Sequence, residues 1–236
     1  MARRARWSAL YNRHVDTNAR FRDLTVDQFI SALSSGAPTP GGGAAAAIAG
    51  SLGGALVAMV ASLSEGRPKY ADHQALLLEA TASGQELADR LLNLADEDAA
   101  AFDGFGVAMR MPRETDEEKV ARTQAMHAAA RAATEAPFKT VQACLEVAAI
   151  AEAMAGRSNK NASSDLEVAG LMAVAAARAA AANVYVNLPS MGDEAIAGEL
   201  LVRTGAIVDE VERLSSRTRE IARSGEARPP LGAGAA

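Results

Sequence analysis

The sequence has 236 residues, enough for one domain with a sizeable core, and 49% of them are hydrophobic while only 4% are aromatic. That core must be built from Ala, Leu, Val and Met, so an all-α helical bundle is expected and a sheet protein is not. A net charge of −5 excludes nucleic acid as the principal partner, and the single cysteine, Cys144, excludes an internal disulfide and fits a reducing, cytoplasmic compartment.

In chain order, residues 1–23 form a basic arm (Arg3, Arg4, Arg6, Arg13, Arg20 and Arg22 against Asp16), without an apolar core of signal-peptide length. Thr25 and Gln28 have capping-box spacing and open a short helix expected to stop near Gly36. Pro38-Thr39-Pro40 then fixes an extended approach to Gly41-Gly42-Gly43, and an uncharged Ala/Gly-rich run reaches Leu63. A helix starting in this glycine turn aims its first N–H groups outward, as an anion site or simply as a tight entry into a buried helix. The run is long enough to span a bilayer, but Ala and Gly contribute little transfer energy, and Arg178 interrupts the later apolar run Leu166–Leu188. A central soluble helix wrapped on every side is therefore expected, not a membrane span.

Arg67 and Lys69 beside Tyr70 form a turn or the rim of an anion site. From Ala71 to Met109 an amphipathic pattern follows, with the stripe Leu87, Leu91, Leu94, Asp98, Ala101 or Phe102, Phe105. Asp98 is the one carboxylate on the inward face, whereas Asp89, Asn93 and Asp96 fall on the wet side. A buried carboxyl has a raised pKa and is a candidate proton acceptor, the other reading being a structural ion pair. Thr115 and Glu118 form a second capping box, and Pro137 is expected to kink or restart that helix before it ends at Gly156. His14, His73 and His127 have no shared ligand spacing, so no metal is expected.

Ser164 to Glu167 reads as a third capping box. Asp165 and Asn183 then share an azimuth, eighteen residues and about 27 Å apart, with Asn187 beside them and Ala169, Met172, Ala176 and Ala180 between. That line is either a flank for an elongated ligand or a core seam. A last helix is expected from Asp193 to Arg223, and a disordered tail over 224–236. One domain, 24–223, carries the fold.

Several ordered motifs now stand together: Pro38-Thr39-Pro40-Gly41-Gly42-Gly43, Asp98-Ala99-Ala100-Ala101-Phe102, Met111-Pro112 before Thr115-Asp116-Glu117-Glu118-Lys119, Asn161 through Ser164-Asp165-Leu166, and Asn183-Val184-Tyr185-Val186-Asn187-Leu188. In these the chain resembles the cyclodeaminase/cyclohydrolase family, over roughly Leu24 to Arg223. The resemblance implies an all-helical homodimer that binds tetrahydrofolate derivatives between helices, the folate being substrate and no further cofactor being needed. Ala44 departs from the family's common Ser after the three glycines, which removes any hydroxyl contact there. With no formiminotransferase half in the sequence, hydrolysis of 5,10-methenyltetrahydrofolate to 10-formyltetrahydrofolate is expected over cyclodeamination of the 5-formimino compound, and over a non-catalytic helical module.

For that chemistry Asp98 is the expected general base and then acid. Asn161, Asp165, Asn183 and Asn187 are expected on the pterin edge or the water. Arg67, Lys69 and the turn from Pro40 through Gly41, Gly42 and Gly43 are expected on the glutamate carboxylates.

Overall fold

The computed structural model describes residues 20–231. Most of the basic arm and the last five residues lie outside them. Among the described residues six α-helices make the architecture: α1 (Val26–Leu33), α2 (Gly42–Ser62), α3 (Gln74–Met109), α4 (Asp116–Met154), α5 (Ser163–Asn187) and α6 (Glu194–Ser224). No strand occurs among the described residues, as the composition implies.

The cross-helix contacts set the directions. Ser51 on α2 reaches the Ala88 carbonyl on α3, and Ser62 meets Thr81, so these helices are antiparallel. Arg90–Glu146 and Lys139–Glu97 likewise fix α4 antiparallel to α3, and Arg223–Glu167 fixes α6 against α5. The bundle therefore alternates up and down from α2 to α6, and the start of α2 shares one end with the later part of α3 and the end of α5. Along the α2–α3 seam the backbones nearly touch. A Cβ on Gly84 would lie 2.8 Å from both the Ala58 nitrogen and the Gly54 carbonyl oxygen. Gly84→Ala is expected to push the helices apart at a cost of roughly 1–3 kcal/mol, read as a lowered thermal midpoint.

The capping boxes at Thr25/Gln28 and Thr115/Glu118 are both formed, each N-cap hydroxyl accepting from the N3 amide. Asp193 caps α6 through the Ala195 and Ile196 amides, and Gly225 ends it at φ +66°, a left-handed conformation that needs glycine. Several expectations change. α1 ends at Ser34, and Gly36 does not adopt a positive φ. The third capping box does not form: Lys160–Ala162 make a 3₁₀ turn in which the Asn159 side chain accepts from Asn161, and α5 starts at Ser163 without a side-chain cap. Pro137 does not restart the helix, since α4 runs from Asp116 to Met154 as one element.

The wet side of α3 stays exposed at Asp89 and Asn93, while Asp96 is half-buried under the segment that precedes α1. The Phe21 amide donates to Asp96 (2.8 Å), and Arg22 bonds the Asp89 carbonyl and Asn93. The chain end is also tied down as far as it is described. Arg157 Nε donates to the Pro229 carbonyl, and the Arg228 guanidinium donates to the Glu152 and Ala155 carbonyls at the C-terminal end of α4. The alanine track of α5 is a core seam, since Ala169, Ala176 and Ala180 are fully buried. Cys144 is also core, its thiol pushed by burial up to about 12 and hence inert.

One departure concerns α2 itself. Its inner faces are packed by α3, α4 and α5, but a stripe containing Leu52, Met59 and Leu63 stays open along its length, with Leu52 55% exposed. Beside it α5 exposes Val168, Leu171 and Val186. Gly42–Ser62 and the stretch Lys160–Ser190 are each long and apolar enough to cross a membrane.

Candidate active site

The glycine turn brings the candidate base to the start of α2. Pro40 is buried and its peptide bond with Thr39 is cis. Gly41, extended at φ −122°, is the N-cap and supplies no side-chain acceptor to the helix. The acceptor comes instead from α3. Asp98 lies directly over Gly43, so that a Cβ built on Gly43 would fall on its carboxylate, and it accepts a hydrogen bond from the Ala44 backbone N–H. Burial, the larger effect, pushes the Asp98 carboxyl above its ordinary range, and the Ala44 N–H pulls it partly back. A carboxylate at a helix start also complements the helix dipole. The Ala44 contact is through the main chain, so the absence of a hydroxyl at position 44 leaves it intact.

Asn183 closes the other side of the turn. A Cβ on Gly42 would sit 3.6 Å from its Nδ2, which donates to the Ala179 carbonyl (2.8 Å). One N–H and the Oδ1 of that amide remain for other partners. Gly42, Gly43, Asp98 and Asn183 thus form one compact group, half-buried at one end of the bundle.

Asn187, one turn further along α5, has a structural task. Pro137 has no N–H, so the carbonyl four residues earlier, Ala133, loses its helical donor. Asn187 Nδ2 donates to that carbonyl (3.0 Å), which lets α4 pass through the proline unbroken. The missing donor was readable from Pro137, but the residue that replaces it was not. Asn187→Ala should cost roughly 1–3 kcal/mol, and adding Pro137→Ala, which returns the N–H, should recover most of it in a double-mutant cycle of thermal melts.

The remaining candidates are elsewhere. Arg67 and Lys69 are exposed beyond the C-terminal end of α2, Asn161 is exposed before α5, and Asp165 is half-buried in its first turn. The length of α2 separates them from Asp98 by about 30 Å. Lys69 lies 5.4 Å from the Tyr70 ring centroid and, with Lys160 and Glu226, lines a small cleft of about 90 Å³. A larger cleft of about 440 Å³, between α3 and α4 near Glu86 and Ile150, holds none of the candidates. No group of three His, Cys, Asp or Glu side chains suited to a metal occurs among the described residues.

A family model described as formiminotransferase-cyclodeaminase matches residues 25–205. The chain is 40% identical over 200 residues to the methenyltetrahydrofolate cyclohydrolase of Methylorubrum extorquens, covering 85% of this chain and 96% of that one. It is 29% identical over 188 residues to the formimidoyltransferase-cyclodeaminase of Gallus gallus, 80% of this chain but 35% of that longer protein. The crystal structure of formiminotetrahydrofolate cyclodeaminase from Thermotoga maritima shares the fold, with a TM-score of 0.78 at 24% identity over 86% of this chain and 98% of that one. From the cap of its first helix to the middle of its last, the chain belongs to the formiminotransferase-cyclodeaminase family.

Proposed function

We propose that this protein is an enzyme of one-carbon metabolism that hydrolyses 5,10-methenyltetrahydrofolate to 10-formyltetrahydrofolate. The identity to the Methylorubrum cyclohydrolase over nearly its whole length supports the substrate. The observation that carries the mechanism is the desolvated Asp98 carboxyl held over Gly43 at the uncapped start of α2.

The methenyl carbon lies between N5 and N10 in a delocalised cation and needs no further activation. Water adds to it while Asp98 takes one water proton, giving a neutral hydroxyl adduct. The C–N5 bond then breaks as Asp98 returns that proton to N5. The adduct's hydroxyl becomes the formyl carbonyl on N10 and gives its proton to solvent, so one proton is released overall. A carboxyl with a raised pKa suits both directions of transfer. The cationic substrate also favours the ionised base while it is bound.

Asn183 and the turn from Pro40 through Gly43 orient the substrate beside Asp98. The folate is the substrate, and the enzyme works as a cytoplasmic homodimer.

Spectrophotometry with each folate tests the reading. Loss of methenyl absorbance on adding enzyme to 5,10-methenyltetrahydrofolate is expected. Ammonia release from the 5-formimino compound, with methenyl absorbance appearing and no hydrolysis, would replace the reading with cyclodeamination.

A further inference from the structure

The cleft of about 440 Å³ between α3 and α4 has no part in the chemistry proposed above. Its floor is apolar, with Ala80, Leu87 and Ile150, and its rim is acidic. Arg90 on that rim is already paired with Glu146 at 2.5 Å. Glu79 and Glu86 are exposed, and neither pairs with a cation among the described residues. They stand two turns apart on α3, about 10 Å by helical rise, and so point the same way. An apolar trough with two aligned spare carboxylates suits a segment that is apolar on one side and carries two cations at the same spacing.

The chain contains such a segment. Residues 1–19, outside the described ones, hold Arg3, Arg4, Arg6 and Arg13 against one acid, Asp16. Trp7, Leu10, Tyr11 and His14 follow the i, i+3, i+4, i+7 spacing by which a helix lays one face into a groove. Arg6 and Arg13 repeat the spacing of Glu79 and Glu86. At about 100° per residue, Asp16 falls about 180° from Trp7, away from the acidic rim. The family match starts at residue 25, so the arm lies outside the matched region.

The point at which the described chain begins fits as well. Phe21 and Arg22 are held on α3 at Asp96, Asn93 and Asp89, the last of these one turn past Glu86. Residues 14–19 span up to about 20 Å, enough to bring Arg13 to Glu86. The C-terminal stretch offers no such complement. Leu231 reaches the cleft, but residues 232–236 are Gly-Ala-Gly-Ala-Ala, without a cation. We propose that residues 3–14 dock as an amphipathic helix into the α3–α4 cleft of their own chain. Arg6 then meets Glu79, Arg13 meets Glu86, and Trp7, Leu10 and Tyr11 cover the apolar floor. Glu86 is about 18 Å from Asp98 along α3, so this docking stands apart from the proposed reaction.

Trp7 is the only tryptophan in the sequence, so its fluorescence reports the arm alone. In the full-length protein its emission should be blue-shifted, and acrylamide quenching several-fold weaker, relative to the urea-unfolded chain. Glu79→Lys with Glu86→Lys should return both to the unfolded values while the thermal melt stays cooperative. Where those reversals unfold the chain, Glu79→Gln with Glu86→Gln should still raise the quenching. Arg6→Glu with Arg13→Glu should also release the arm, and joining both pairs of reversals should restore protection, because the charges are then exchanged.

A Trp7 as accessible in the native protein as in the unfolded one would overturn the proposal. So would a protected Trp7 that ignores the Glu79 and Glu86 substitutions, or combined reversals that restore nothing. Protection appearing only with phosphatidylglycerol vesicles would give the arm a membrane surface instead and overturn it too. Cross-linking separates the chain's own cleft from a neighbour's. Cys144 is buried, so His14→Cys and Ser83→Cys in one chain can be joined selectively by a short bis-maleimide. A link within one chain is expected. No link, or links between chains when the two single variants are mixed, would sink the proposal.

Discussion

Asp98→Asn is expected to lower turnover of 5,10-methenyltetrahydrofolate by about 10²–10⁴-fold, the range that a positioned general acid–base supplies. Asparagine keeps the shape and can still accept from the Ala44 N–H, so folate binding should survive. The stability effect should run the other way. In the native state burial raises the Asp98 pKa, so the folded chain holds this proton more tightly than the unfolded one. The wild-type protein therefore loses stability as pH rises from the unfolded value of about 3.9 through the native one. The neutral variant escapes that loss. Its thermal midpoint near pH 7 should exceed the wild type's, and the gap should close as pH falls toward 3. In wild type, kcat/KM should rise with pH through a value above the ordinary carboxylate range, and this limb should vanish in Asp98→Asn. A variant with unchanged turnover and an unchanged pH profile would remove Asp98 from the chemistry.

Gly43→Ala is the second large effect, and it touches no group that reacts. The added methyl takes the place now held by the Asp98 carboxylate, which must swing out of register with the Ala44 N–H. A loss of about 100-fold in kcat is expected, as a misplacement near one ångström can produce. Gly42→Ala is the structural comparison. Its methyl would meet Asn183 Nδ2 at 3.6 Å, an ordinary contact, and alanine favours the helix, so its melting temperature should not fall. If Gly43→Ala proved as active as wild type, the tight seating of the carboxylate would not matter to the reaction.

Much of this was legible before any coordinates. The inward step of Asp98 follows from its place in the Leu87–Leu91–Leu94 series, and the caps at Thr25 and Thr115 come from local chemistry that needs no tertiary context. Gly36 and Ser164 misled for the complementary reason. Either residue is able to end or start a helix, but the neighbouring turn settles whether it does. Pro137 shows the limit most clearly: its missing N–H is a property of the sequence, but the donor that stands in for it arrives from α5, fifty residues away.

By itself the sequence determined the helical class, the small-residue core and the identity of the buried acid, because periodicity, propensity and charge act within a few turns of one helix. Which groups meet was decided only by the tertiary structure. Antiparallel packing carries Asp98 to Gly43 and Asn183 to Gly42, and the same alternation places Arg67, Lys69, Asn161 and Asp165 a full helix length away. No local pattern encodes that separation, since it depends on the order and direction in which the finished helices pack.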